Sequence, residues 1–103
     1  MNAFTVCVLA VIVAAATAQD TCHLCELMIN DVKALHPEGF ASVSLDTLTK
    51  EMNAECDKYL ATVAFEDSVC KSMITSQAPA LLVALQANKP THQVCLEGKL
   101  CTA

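Results

Sequence analysis

The chain holds 103 residues with a formal net charge of −5 at pH 7, eleven carboxylates standing against six lysines and no arginine. That balance excludes the basic stripe that nucleic-acid binding requires, and it opposes electrostatic docking on anionic lipid at neutral pH. Hydrophobic residues make up 54% of the chain and seven are cysteines, which points to one small, disulfide-stapled domain.

The first stretch, Met1 to Ala18, has no charged side chain. Its apolar run from Val6 to Ala16 is too short to span a bilayer, and Ala16-Thr17-Ala18 fits the small-x-small cleavage rule. Residues 1–18 therefore read as a signal peptide and 19–103 as the mature domain. Cys7 falls in the removed part, leaving six cysteines, an even number suited to an oxidising compartment.

A first helix is predicted from about Thr21 to Leu35, with Asp20 or Thr21 as its cap. Cys22, Cys25, Ile29, Val32 and His36 form one stripe at helical spacing. Leu24, Leu27, Met28 and Leu35 widen the apolar surface beyond what an ordinary surface helix needs. His36-Pro37-Glu38-Gly39 should end it. Ser44 caps a second helix, with Asp46 in its first turn and Leu45, Leu48, Met52 and Cys56 on one face. That helix should end near Tyr59 or Leu60, and Ala61 to Ala64 should form the turn.

A third helix is predicted over about Phe65 to Gln77. Pro79 then marks a break, with a fourth helix built on Ala80-Leu81-Leu82-Val83-Ala84-Leu85, which is apolar almost all round. Asn88-Lys89-Pro90 makes the next turn. A last helix carries Val94, Cys95 and Leu96, and Gly98 loosens its end. No later apolar segment is expected to approach the length of a membrane span, so the mature domain is expected to be soluble.

The cysteines follow the order C-x2-C, C-x13-C, C-x5-C. Six cysteines allow fifteen pairings, and spacing alone selects none. Cys22 and Cys25 lie one helical turn apart, and Cys95 and Cys101, on a continuous helix, would also share a face. Antiparallel terminal helices would then let outer meet outer and inner meet inner.

This cysteine order, over the whole chain after the signal segment, resembles the saposin-like family. The resemblance implies first–sixth, second–fifth and third–fourth pairing: Cys22–Cys101, Cys25–Cys95 and Cys56–Cys70. It implies an all-α saposin fold of four to five short helices stapled by three disulfides, a saposin B-type domain. The family includes saposins, which present lipids, and amoebapore- and caenopore-like proteins, which damage membranes. Two departures are the longer gap between the third and fourth cysteines and the absence of an N-glycosylation sequon.

Other chemistry has a plainer reading. Cys22-His23-Leu24-Cys25 has the form of a redox motif, but in a six-cysteine secreted chain it reads as two half-cystines. Oxidised cysteines cannot ligate zinc, and the three histidines are scattered, so no metal site is expected. No nucleophile elbow or glycine-rich phosphate loop is present, so neither catalysis nor a cofactor is expected. Glu66-Asp67 and Glu51/Glu55 read as solvated faces.

The apolar excess remains. Leu24, Met28, Leu81, Leu82, Val83 and Leu85 are the lipid-contact candidates. His23, His36 and His92 are the pH-switch candidates: protonating all three would move the net charge from −5 to −2. The expected function is a secreted, lipid-binding, membrane-perturbing protein of the pore-forming or antimicrobial kind, favoured by acidic pH. The alternative is a non-lytic lipid carrier or activator presenting lipid to an enzyme. Expected partners are lipids or a membrane surface, no nucleic acid, and further copies of the chain. The expected location is outside the cell or in the lumen of an acidic vesicle.

Overall fold

The computed structural model describes residues 20–103; the signal-peptide reading of 1–18 and Cys7 lie outside them. Among the described residues all regular structure is α-helical, in four helices. They are α1 (20–35), α2 (Leu45–Leu60), α3 (Ala64–Gln86) and α4 (Thr91–Glu97).

The helix starts and stops have local causes. Ser44 is extended and its Oγ accepts the Thr47 amide at 3.1 Å, so one of the unpaired N–H groups of α2 is satisfied. Asp46 adds a negative charge at the positive end of the helix dipole. Both α3 and α4 close with paired bonds back into the last turn. Lys89 N donates to Ala84 O and Asn88 N to Leu85 O after α3; Leu100 N donates to Cys95 O and Lys99 N to Leu96 O after α4. The left-handed residue each closure needs is supplied by Asn88 (φ 57°) and Lys99 (φ 60°) rather than by glycine.

The structure differs from the predicted elements at Pro79. Helices three and four are one 23-residue helix that runs through it. Pro79 has no N–H to donate to Thr75 O, a defect that costs about 3 kcal/mol in a helix interior. Here Pro79 is exposed, and the buried row Ile74, Ala78, Leu81, Ala84, Leu85 continues past it without a change of face. Keeping those last three residues in the core requires the helix to continue, and their burial offsets the missing bond. One helix, α3, is consequently long and apolar enough to cross a membrane. It also carries much of the core.

Two smaller differences follow the same logic. The turn after α2 spans 61–63, and Ala64 already belongs to α3. Cys101 lies beyond the end of α4, so it does not share a helical face with Cys95; the closure at Lys99 folds the chain back, and both Leu100 N and Cys101 N donate to Cys95 O.

The core runs along the molecule from Met28, Ile29 and Val32 of α1 through Leu48 and Met52 of α2 to Ile74, Leu81 and Leu85 of α3. Val94 and Leu100 close its end. Three disulfides staple it: Cys22–Cys101, Cys25–Cys95 and Cys56–Cys70, with Cα–Cα separations of 4.5, 6.1 and 5.9 Å. The first two bind α1 to α4 and the segment after it; the third binds α2 to α3. Disulfides of this kind belong to an oxidising, extracellular or vesicular setting.

Candidate functional site

The ends of α1 and α3 do not close on each other completely. Between them lies an apolar groove of about 680 Å³, open along one side. One wall is the first two turns of α1, where Thr21, Leu24, Cys25 and Met28 recur at helical spacing. The opposite wall is the first half of α3, through Phe65, Val69, Met73 and Ile74. Leu60 at the end of α2 and Leu100 after α4 close its ends. Its volume lies in the range of ~300–1,000 Å³ typical of small-molecule sites.

The groove leaves large apolar surface in water. Phe65 is 78% exposed and Val69 41%, on a helix whose other face is in the core. An exposed leucine or valine alone needs no explanation, but a contiguous apolar hollow with an aromatic on its lip does. Its only charged lining residues are Asp20 and Glu66.

The staples frame the groove without crossing it. Cys25 and Cys70 both line it, yet each is bonded away from it, to Cys95 and Cys56 respectively. Among the described residues no disulfide joins α1 to α3. The two walls can therefore separate while every covalent bond is kept.

The lipid-contact candidates divide. Leu24 and Met28 line the groove, Met28 from a position only 2% exposed. Leu81 and Leu85 are buried in the core, Leu82 packs partly against it, and Val83 is exposed on the outer face of α3. Phe65, Val69 and Met73 recur at four-residue steps in the sequence, but nothing in that row says whether a partner helix covers it.

The histidines are also dispersed. His23 is exposed on α1. His36 lies beyond the end of α1, where Nε2 is 2.8 Å from both carboxylate oxygens of Glu51 and the ring packs 5.0 Å from that of Phe40. His92 lies with Nδ1 3.5 Å from Glu26 and Nε2 3.0 Å from the carbonyl oxygen of Ala103. Glu26 and His92 stand beside Cys22 and Cys101, a cluster with ligand-type atoms within 4.8 Å of one another. Those two sulfurs are joined in the disulfide and offer no thiolate.

Two acidic clusters brace α2, and the sequence reading of solvated faces does not hold for them. At the α1–α2 interface Tyr59 Oη donates to Asp31 Oδ2 at 2.6 Å and Lys58 Nζ donates to the same atom at 2.9 Å. These bonds hold the Asp31 carboxyl down at about 2. Glu55 is buried beside it; loss of hydration, then the neighbouring Asp31 carboxyl, push it up to about 7. At the α2–α3 interface Lys71 lies 2.7 Å from Asp57 and 3.5 Å from Asp67. Lys71 holds Asp57 below the usual range, while burial and then Asp57 raise Asp67.

Comparison of the chain with protein families, with curated proteins and with solved structures gives no match.

Proposed function

We propose that the protein is a saposin-like lipid-binding protein that acts on membranes through the α1–α3 groove. The observation that carries this reading is the groove itself: an apolar hollow with an exposed phenylalanine, between two walls that no disulfide ties together. Removing that surface from water is worth roughly 25 cal/mol per Å² of apolar area, a gain an alkyl chain supplies without any specific polar contact. The cysteine order and the observed pairing support the saposin-like reading. In it the protein is secreted or held in an acidic vesicle, and it perturbs the bilayer. Acid favours it, because lowering the pH from neutral brings the net charge of −5 toward zero and weakens repulsion from anionic lipid.

A non-lytic carrier is the second reading, favoured by the bounded size of the groove, which suits one lipid chain better than a bilayer. Dye-loaded liposomes separate the two. Leakage that rises from neutral pH to pH 5 supports membrane perturbation; transfer of labelled lipid between vesicles without leakage supports the carrier. Neither leakage nor transfer at any pH would remove the lipid-binding reading.

A further inference from the structure

The lining of the groove is apolar except at its lip, where the charged side chains among the described residues are both carboxylates. Asp20 on α1 and Glu66 on α3 both line the groove and are exposed, and among the described residues no lysine or histidine lines it. Phe65, next in sequence to Glu66, is 78% exposed at the same opening. An aromatic face carries negative potential and attracts ammonium groups, most strongly when water is partly excluded. Two carboxylates beside it add to that attraction and repel an anionic head. We infer that the groove selects single-chain amphiphiles whose head carries an ammonium group: the alkyl chain lies between α1 and α3, and the head rests against Phe65, Glu66 and Asp20.

This inference rests on the lipid-binding reading and goes beyond it by naming the head group. The overall charge of −5 favours the same class at long range and adds to the preference set at the lip. The interior supplies affinity through burial of the chain, and Met28 and Met73 give it walls that adapt to different chains. The head group fixes which end of the ligand remains outside.

The test is displacement of Nile red, an uncharged apolar dye, from the oxidised protein at low salt. The competitors are dodecyltrimethylammonium and dodecanoate, each below its self-association concentration, with tetramethylammonium as the head without the chain. The ammonium amphiphile should displace the dye at about one-tenth the concentration of dodecanoate, the scale of one cation–π contact joined to two screened carboxylates. Tetramethylammonium alone should displace none. A double Asp20→Asn, Glu66→Gln variant should bring the two amphiphiles to similar concentrations, each measured against that variant's own affinity for the dye. Phe65→Leu should weaken the ammonium ligand alone. All three positions are exposed, so helical circular dichroism should stay unchanged. Equal displacement by both amphiphiles in the unaltered protein, or preference for dodecanoate, would overturn the head-group assignment and leave the groove reading standing. No binding of dye or of either amphiphile would overturn both.

Discussion

Glu55 of α2 is buried beside Asp31 of α1 at their helix interface, one carboxyl pushed up to about 7 and the other held down at about 2. The pair therefore binds a single proton over a wide range of pH, with Tyr59 and Lys58 on the Asp31 side. A proton retained by Glu55 in the fold but lost in the unfolded chain makes stability depend on pH. The raised Glu55 contributes stability that is fully present below its ordinary 4.5 and is lost as pH rises through about 7. The depressed Asp31 contributes stability present above its ordinary 3.8 and lost as pH falls through about 2. Thermal stability should thus increase from neutral pH downward and peak near pH 4. Glu55→Gln keeps a neutral hydrogen-bonding side chain, so it should raise the melting temperature at pH 7.5 and flatten the profile between pH 5 and 8. A melting temperature that falls monotonically from pH 7.5 to 4 would contradict this pairing.

This cluster also shows where a sequence stops being informative. Glu51 and Glu55 stand on an amphipathic helix among Lys50, Asn53 and Lys58, and by that pattern both look solvated. Glu51 is bonded to His36, and Glu55 is buried because α1 docks on that turn of α2. The angle and register of docking are tertiary facts. Ser44 as a cap and the end of α2 at Leu60 were legible because each depends on neighbours in sequence, whereas the pairing of cysteines up to 79 residues apart came from the family resemblance. Pro79 was read locally as a break, and the local rule lost to burial of Leu81, Ala84 and Leu85 beyond it. Phe65 and Val69 look like core residues in a sequence; in the fold they are exposed and line the groove between α3 and the first turns of α1.

The end of α4 depends on a glycine for space rather than for backbone freedom. Gly98 has φ −78°, open to any residue, but a Cβ placed there would lie 2.5 Å from Leu81 Cδ2 and 3.1 Å from its Cγ. Leu81 is fully buried and cannot swing aside without disturbing α3. Gly98→Ala should cost about 1–3 kcal/mol, the usual range for overpacking, in spite of alanine's better helical propensity. Urea denaturation of the oxidised protein measures it. The double change Gly98→Ala, Leu81→Ala should recover part of the loss, because it frees the space that the new methyl group needs.

The staples should differ in their contribution to stability. Cys22–Cys101 spans a sequence separation of 79 and Cys56–Cys70 one of 14. In the chain-entropy account, loops of these sizes correspond to roughly 4.5 and 3 kcal/mol. Replacing both cysteines of a pair with serine should therefore lower the urea midpoint more for Cys22/Cys101 than for Cys56/Cys70. The opposite order would mean that the α2–α3 hairpin, not the closure of the chain ends, limits stability.

Aspartate scanning along the apolar positions should separate lipid contact from core. Leu81 is fully buried among α1, α2 and α4 side chains, so Leu81→Asp places an unpaired carboxylate in the core and should unfold the protein at neutral pH. Val83 is 67% exposed on the outer face of α3, away from the groove, so Val83→Asp should leave both the fold and the binding of an alkyl ligand near their original values. Val69 is 41% exposed and lines the groove; Val69→Asp should keep the helical spectrum and the melting temperature within a few degrees while weakening ligand binding at least about tenfold, because the ligand chain would have to desolvate a carboxylate. Circular dichroism, thermal melting and Nile red titration on the three variants give the readouts. If Val83→Asp rather than Val69→Asp removes binding, the lipid surface is the outer face of α3, and the groove is a packing defect between α1 and α3.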